Sequence, residues 1–141
     1  LGDLKKIAIK LSNKVKQGDT IFLFGNLGVG KTTFVKFFIN QIQKKNKSII
    51  TEVPSPTFGI VHEYIIKNKM IHHYDLFRIN DHKECLNIGI YEDLNKKVSL
   101  IEWPEKIEKK PKDRIEIFFK YNRNYVERFM RIRTYGRCRN Y

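Results

Sequence analysis

The 141-residue sequence has only two Cys and four Pro, and no apolar run near the roughly 20 residues that a membrane-spanning helix needs. Cys85 and Cys138 make neither a CxxC pair nor a mixed Cys/His ligand spacing. That excludes a disulfide-stapled secreted scaffold and an ordinary zinc module, and both residues read as free thiols of a reducing compartment. Internal repeats, low-complexity segments and Pro/Gly/Ser linkers are missing too. No signal-peptide core follows Leu1-Gly2-Asp3-Leu4-Lys5-Lys6, and no initiator Met precedes it. The expectation is a soluble, cytoplasmic chain whose numbering starts after some trimmed residues. An apolar content of 41% over this length fits one globular domain, 1–141. Such a domain can bury about 68% of its unfolded surface without staples.

Acidic residues are also scarce, 15 against 28 Lys and Arg, which gives a net charge of +13. The excess is densest in the tail, where Lys120, Arg123, Arg128, Arg131, Arg133, Arg137 and Arg139 face one acid, Glu127. A solvated surface and a face for a polyanion both fit this balance, and charge alone does not decide function. Tyr121, Tyr125 and Tyr135 interleave with the basic residues. That pattern can stack on single-stranded bases, but an edge hairpin gives the same alternation, and the hairpin is the preferred reading.

Along the chain, Leu4, Ile7, Ala8, Leu11 and Val15 recur at helical spacing, which predicts an amphipathic helix over 3–17. Gln17-Gly18-Asp19 ends it in a turn. Residues 20–24 form a short apolar run of the kind expected for a strand buried on both faces. A glycine-rich turn and a second helix over 31–44 follow, with Phe34, Phe37, Phe38 and Ile42 as its core side. Residues 49–53 predict a strand that leads into the rigid loop Pro54-Ser55-Pro56-Thr57. Residues 59–66 and 70–76 predict a hairpin about Lys67-Asn68-Lys69. A helical stretch over 85–94, interrupted near Gly89, and a buried strand over 98–101 come next. Residues 115–121 and 129–135 resemble a closing pair of strands. The order predicts an α/β fold.

The strongest local signal is Gly25-Asn26-Leu27-Gly28-Val29-Gly30-Lys31-Thr32, which matches GxxxxGK[ST] between a buried strand and an apolar-faced helix. Glycines let backbone N–H groups turn inward around phosphate oxygens, and the new helix aims its N-terminal dipole at the same anion. Lys31 reaches the β- and γ-phosphates, and the Thr32 hydroxyl can ligate Mg²⁺. Such a loop needs an acidic partner at the end of a neighbouring strand. Glu102 and Asp75 both stand where a predicted strand ends. His62, His72, His73 and His82 lack a convergent ligand spacing and read as hairpin-lining or surface residues.

Four motifs, Gly25-Asn-Leu-Gly-Val-Gly-Lys-Thr-Thr33, Pro54-Ser-Pro-Thr-Phe58, His73-Tyr-Asp-Leu-Phe-Arg78 and Leu100-Ile-Glu-Trp-Pro-Glu105, occur in one order with compatible spacing. In this the chain resembles the bacterial TsaE (formerly YjeE) ATPase family, which assists formation of N6-threonylcarbamoyladenosine on tRNA. The resemblance runs from the first helix to about Ile132. It implies a P-loop NTPase-type three-layer α/β domain with a mostly parallel central sheet and hairpin elements. It implies ATP and Mg²⁺ as cofactors, with Gly25, Asn26, Leu27, Gly28, Val29, Gly30, Lys31, Thr32 and Thr33 around the nucleotide. Thr32 and Glu102 would hold the metal, and Asp75 and Glu102 would serve catalysis. Ser55 and Thr57 would lie on a switch-like loop, and Trp103 beside the metal site.

The resemblance further implies a weak isolated ATPase that acts on a complex of TsaB and TsaD. Hydrolysis would reset that complex, with tRNA engaged indirectly or touched by the basic tail. Asn26 departs from the family's usual Asp, and Val29 from a common small Ala. The strand expected before Leu1, a contact for adenine, is missing. The tail is more basic than the family pattern, and Arg128 could reach the nucleotide; Arg78 matches the family's motif arginine, though a salt bridge or packing role suits it equally. Two rivals come from other classes. A small P-loop kinase would need an arginine-bearing lid, and no such segment stands between Gln43 and Glu102. A basic RNA-binding module with a vestigial phosphate loop would bind RNA without Mg-ATP.

Overall fold

A computed structural model describes residues 2–26, 28, 30–54, 60–121 and 128–141. Among the described residues, three α-helices and six strands occur in the order α1 (Gly2–Lys14), β1 (Thr20–Phe24), α2 (Lys31–Lys45), β2 (Val61–Ile66), β3 (Lys69–Asp75), α3 (His82–Asn87), β4 (Val98–Glu102), β5 (Arg114–Tyr121) and β6 (Arg128–Tyr135). The strands form one sheet in the spatial order β2-β3-β4-β1-β5-β6. Its four central strands are parallel, and β2 and β6 are antiparallel at the two edges. The expected three-layer, mostly parallel α/β architecture is therefore present. No helix of the described residues is long and apolar enough to cross a membrane.

Burial on both faces explains the near-continuous apolar central strands. Ile21, Leu23, Leu100, Ile115 and Ile117 face one way and pack with Leu4, Ala8 and Leu11 of α1 and Phe34, Val35, Phe38 and Ile39 of α2. Phe22, Tyr74 and Ile101 face the other way, against Leu76, Ile79, Cys85 and Ile90. The Phe-rich side of α2 is thus core: Phe34 and Phe38 are fully buried, and Phe37 packs partly buried beside them.

Three sequence expectations need correction. α1 stops at Lys14 rather than reaching 17, because 16–19 fold into a turn. There the Asp19 N–H donates to the Lys16 carbonyl (3.0 Å) and the Lys16 N–H to Asp19 Oδ2 (2.8 Å). Residues 49–53 form no strand. Ile49 and Ile50 are 86% and 56% exposed, and Thr51 is tied instead to the Gln43 side chain at 2.8 and 3.2 Å. Local β-propensity alone does not make a strand, and no described strand pairs with this segment. The stretch 85–94 is α-helical only to Asn87, and a 3₁₀ turn begins at Leu94. Asp81 caps α3 by accepting from the Glu84 N–H (3.1 Å), and the chain then turns through Gly89.

Register does most to place the site. Leu23 of β1 and Asp75 of β3 both stand level with Glu102 of β4. Three neighbouring parallel strands therefore end together, beside the loop that links β1 to α2. In an open α/β sheet, this carboxyl end of the strands is where ligands bind.

Candidate functional site

Gly30 starts α2 in the left-handed region (φ 109°), which favours glycine, and α2 has no side-chain N-cap. The Phe34 N–H makes the first intrahelical bond, to the Gly30 carbonyl at 2.9 Å. The N–H groups of the preceding turn then point out of the helix, where an anion can take them. Tyr121, from the end of β5, donates its hydroxyl to the Gly28 carbonyl at 2.6 Å and tethers the loop.

Lys31 is 4% exposed and folds back over its own loop. Its ammonium donates to the Gly25 carbonyl at 2.6 Å and lies 3.9 Å from the centre of the Trp103 ring. Burial lowers its pKa below the usual lysine value, and the charges of Glu102, Asp75 and Glu105 oppose that shift. Trp103 adopts a left-handed backbone (φ 60°) as the chain leaves β4. That turn brings the indole over Lys31, with Phe77 packed on it at 5.0 Å between ring centres.

Thr32, the second residue of α2, presents its hydroxyl 3.4 Å from each Glu102 carboxylate oxygen. Glu102 is 3% exposed. Its Oε2 lies 2.6 Å from His73 Nε2, and the ionised carboxylate can only accept in that pair. Asp75, half-buried on the same face of β3 as His73, accepts the Phe77 N–H at Oδ1 (3.0 Å). Burial raises its pKa; the Phe77 hydrogen bond opposes the rise and the Glu102 charge adds to it.

The structure brings Lys31, Thr32, Asp75, Glu102 and Trp103 together. Gly25 and Gly30 bound the same loop, Asn26 and Gly28 are exposed on it, and Thr33 is half-buried in the first turn of α2. Leu27 and Val29 of the loop, and Ser55 and Thr57 of the switch-like segment, lie outside the described residues. His73 lies on the expected hairpin, but sequence reasoning missed that it is a fully buried partner of Glu102. Its signal was available: His73 precedes Asp75 by two, so a strand places both on one face. Among the described residues, no three His, Cys, Asp or Glu side chains gather as a metal cage. The Thr32 hydroxyl and Glu102 carboxylate are, however, hard oxygen donors of the kind Mg²⁺ takes while keeping other positions for phosphate and water.

The family profile described as "Threonylcarbamoyl adenosine biosynthesis protein TsaE" matches residues 1–130. This chain belongs to the TsaE family. It is 40% identical to the tRNA threonylcarbamoyladenosine biosynthesis protein TsaE of Rickettsia conorii over 73% of its own length, and it spans 57% of that relative. It is 36% identical to the TsaE protein of Bacillus subtilis over 84% of its length and 72% of the relative's. The crystal structure of YdiB from Bacillus superposes with a TM-score of 0.70 at 28% identity, covering 96% of this chain and 80% of that one. The TsaE relationship thus spans the strand–loop–helix unit and the strand ends that carry Asp75 and Glu102.

Proposed function

We propose that this protein binds Mg-ATP at the head of α2 and hydrolyses it in support of N6-threonylcarbamoyladenosine formation on tRNA, acting on a TsaB–TsaD complex. The observation that carries the reading is the convergence of Lys31 and Thr32, from the phosphate loop, on Glu102 and Asp75, from the ends of β4 and β3. Membership of the TsaE family supports the pathway.

The chain's own groups have distinct tasks. The first-turn N–H groups of α2 and the Lys31 ammonium hold phosphate oxygens and offset charge on the transferring group. Thr32 and Glu102 would hold Mg²⁺, which when bound neutralises phosphate charge. His73 fixes the orientation of the Glu102 carboxylate from behind. Asp75, with its raised pKa and its place beside Glu102, is positioned to orient the attacking water.

Lys31 also supplies the test. Nucleotide must draw the ammonium from the Gly25 carbonyl and the indole face, so the fluorescence of the lone Trp103 should report binding. A titration with Mg-ATP and Mg-ADP should give a saturable change, lost or weakened in Thr32→Ala and Glu102→Ala. No change on titration, together with no heat in calorimetry, would overturn the assignment.

A further inference from the structure

The nucleotide site leaves one surface without a role, the face of the β5–β6 hairpin turned away from α1 and α2. Strand alternation puts Glu116, Phe118 and Lys120 of β5 on that face, opposite Arg133, Arg131 and Phe129 of β6. Phe24, level with Phe118 at the end of β1, shares it. The Phe24 and Phe118 rings stack in parallel, with centres 4.5 Å apart and planes 5° apart. The guanidinium carbons of Arg131 and Arg133 lie 5.1 and 5.8 Å from the centre of the Phe118 ring. Two stacked rings and two nearby guanidinium groups therefore form one ridge. Beside it Phe129 is 53% exposed, and Lys120, Arg131 and Arg133 are all exposed.

Glu116 is the one acid in these two strands, and it does not offset the charge at the surface. It is buried and accepts from Arg114 Nε at 2.7 Å, with Lys110 Nζ at 3.9 Å. Among the described residues, the face thus presents cations and ring surfaces and no free carboxylate. Cations alone would protect an edge strand from pairing. That purpose does not require a half-exposed Phe, or arginines gathered beside a ring.

We infer that this face binds an unpaired segment of RNA. Arg131, Arg133 and Lys120 meet the phosphates, while bases stack on Phe129 and on the guanidinium planes. Unpaired bases offer the flat π-faces such a ridge accepts, whereas paired bases keep theirs inside the helix. An acidic protein would answer the charge and leave the layered rings without a counterpart. Phe24 runs directly into Gly25, so RNA on this face would lie against the phosphate loop. The inference goes beyond the proposed ATPase activity and does not depend on hydrolysis.

The test is fluorescence anisotropy with a labelled oligouridine of about twelve nucleotides and a duplex RNA of equal length, across a salt series and without nucleotide. Omitting nucleotide keeps the result readable even if the nucleotide site fails its own test. The wild type should bind the single strand more tightly than the duplex. The double variant Arg131→Ala/Arg133→Ala should lower the slope of log affinity against log salt by about 1.4. Phe129→Ala should weaken binding roughly five- to 140-fold with little change in that slope. These are surface positions, and thermal melting would confirm that the variants are folded. Unchanged binding in both variants, or equal affinity for duplex and single strand, would overturn the inference. So would a wild type that ignores RNA and binds polyglutamate, which would favour an acidic protein partner.

Discussion

At one edge of the sheet, β2 and β3 carry Glu63, His72, His73 and Asp75; at the other, β5 and β6 carry Arg114, Lys120, Arg131 and Arg133. The two hairpins have the same connectivity. Each pairs an outer antiparallel strand with an inner strand that runs parallel to its own neighbour. Both inner strands therefore end at the phosphate loop. β3 brings Asp75 beside Glu102, and β5 brings Tyr121 to the Gly28 carbonyl. Topology fixes where each edge delivers its last residues, and residue type fixes what they do there. The loop sits between an acidic flank suited to a metal ion and a basic flank suited to a polyanion.

The largest effect should come from the acidic flank. Glu102→Ala removes the carboxylate that faces Thr32 and strips the buried His73 of its partner. If Glu102 holds the Mg²⁺ that neutralises phosphate charge, phosphate release in the presence of TsaB and TsaD should fall about 10²–10³-fold, the order of losing one charge-stabilising group. The comparison breaks if Arg131→Ala, on the other edge, costs as much.

How much of this was legible in the sequence depends on how local each feature is. The β1–loop–α2 unit could be read because a buried apolar run, a glycine-rich turn and an amphipathic helix are contiguous. Asp75 and Glu102 could be read because each ends a strand pattern. His73 could not be read from histidine spacing, because its meaning comes from the β3–β4 register that puts it beneath Glu102. The stretch 49–53 misled because pairing partners are a property of the sheet, not of the segment. In the basic tail, the hairpin reading holds for Tyr121, which packs partly buried against the core, and for Tyr135, whose ring lies 3.9 Å from the Arg114 guanidinium carbon. The exposed ridge is built instead from Phe118 and Phe129, whose common face becomes visible only once β5 and β6 are aligned.

A smaller effect separates the edges by stability. His73→Ala removes the shorter of the contacts to the buried Glu102 carboxylate, a loss of about 1–3 kcal/mol. Thermal melting should show a Tm several degrees lower, and His73→Gln, which keeps a donor, should recover part of it. Arg131→Ala/Arg133→Ala touches only exposed side chains, so its stability should stay within about 0.5 kcal/mol of wild type. A large drop there would mean that the arginine ridge is structural and would weaken the case for RNA.

The smallest effect should appear as a slope rather than a drop. On the acidic edge, His72 Nε2 meets Glu63 Oε2 at 3.0 Å and Nδ1 meets the Tyr74 hydroxyl at 3.0 Å, while buried Lys97 donates to that same hydroxyl at 2.7 Å. Burial, with help from the Lys97 charge, lowers the His72 pKa below its ordinary 6.5, against an opposing pull from Glu63. The unfolded chain therefore takes up this proton at a higher pH than the folded one does. The neutral imidazole's contribution is fully present above pH 6.5 and is lost as pH falls from there through the lowered folded-state value. Urea midpoints measured between about pH 5 and about pH 8 should rise with pH up to about pH 6.5 and level off above it. His72→Asn should flatten the rise. The β5–β6 strands contain no histidine, so variants in them should leave the slope as it is. A wild-type slope that survives His72→Asn would place the titration elsewhere and remove this distinction between the two edges.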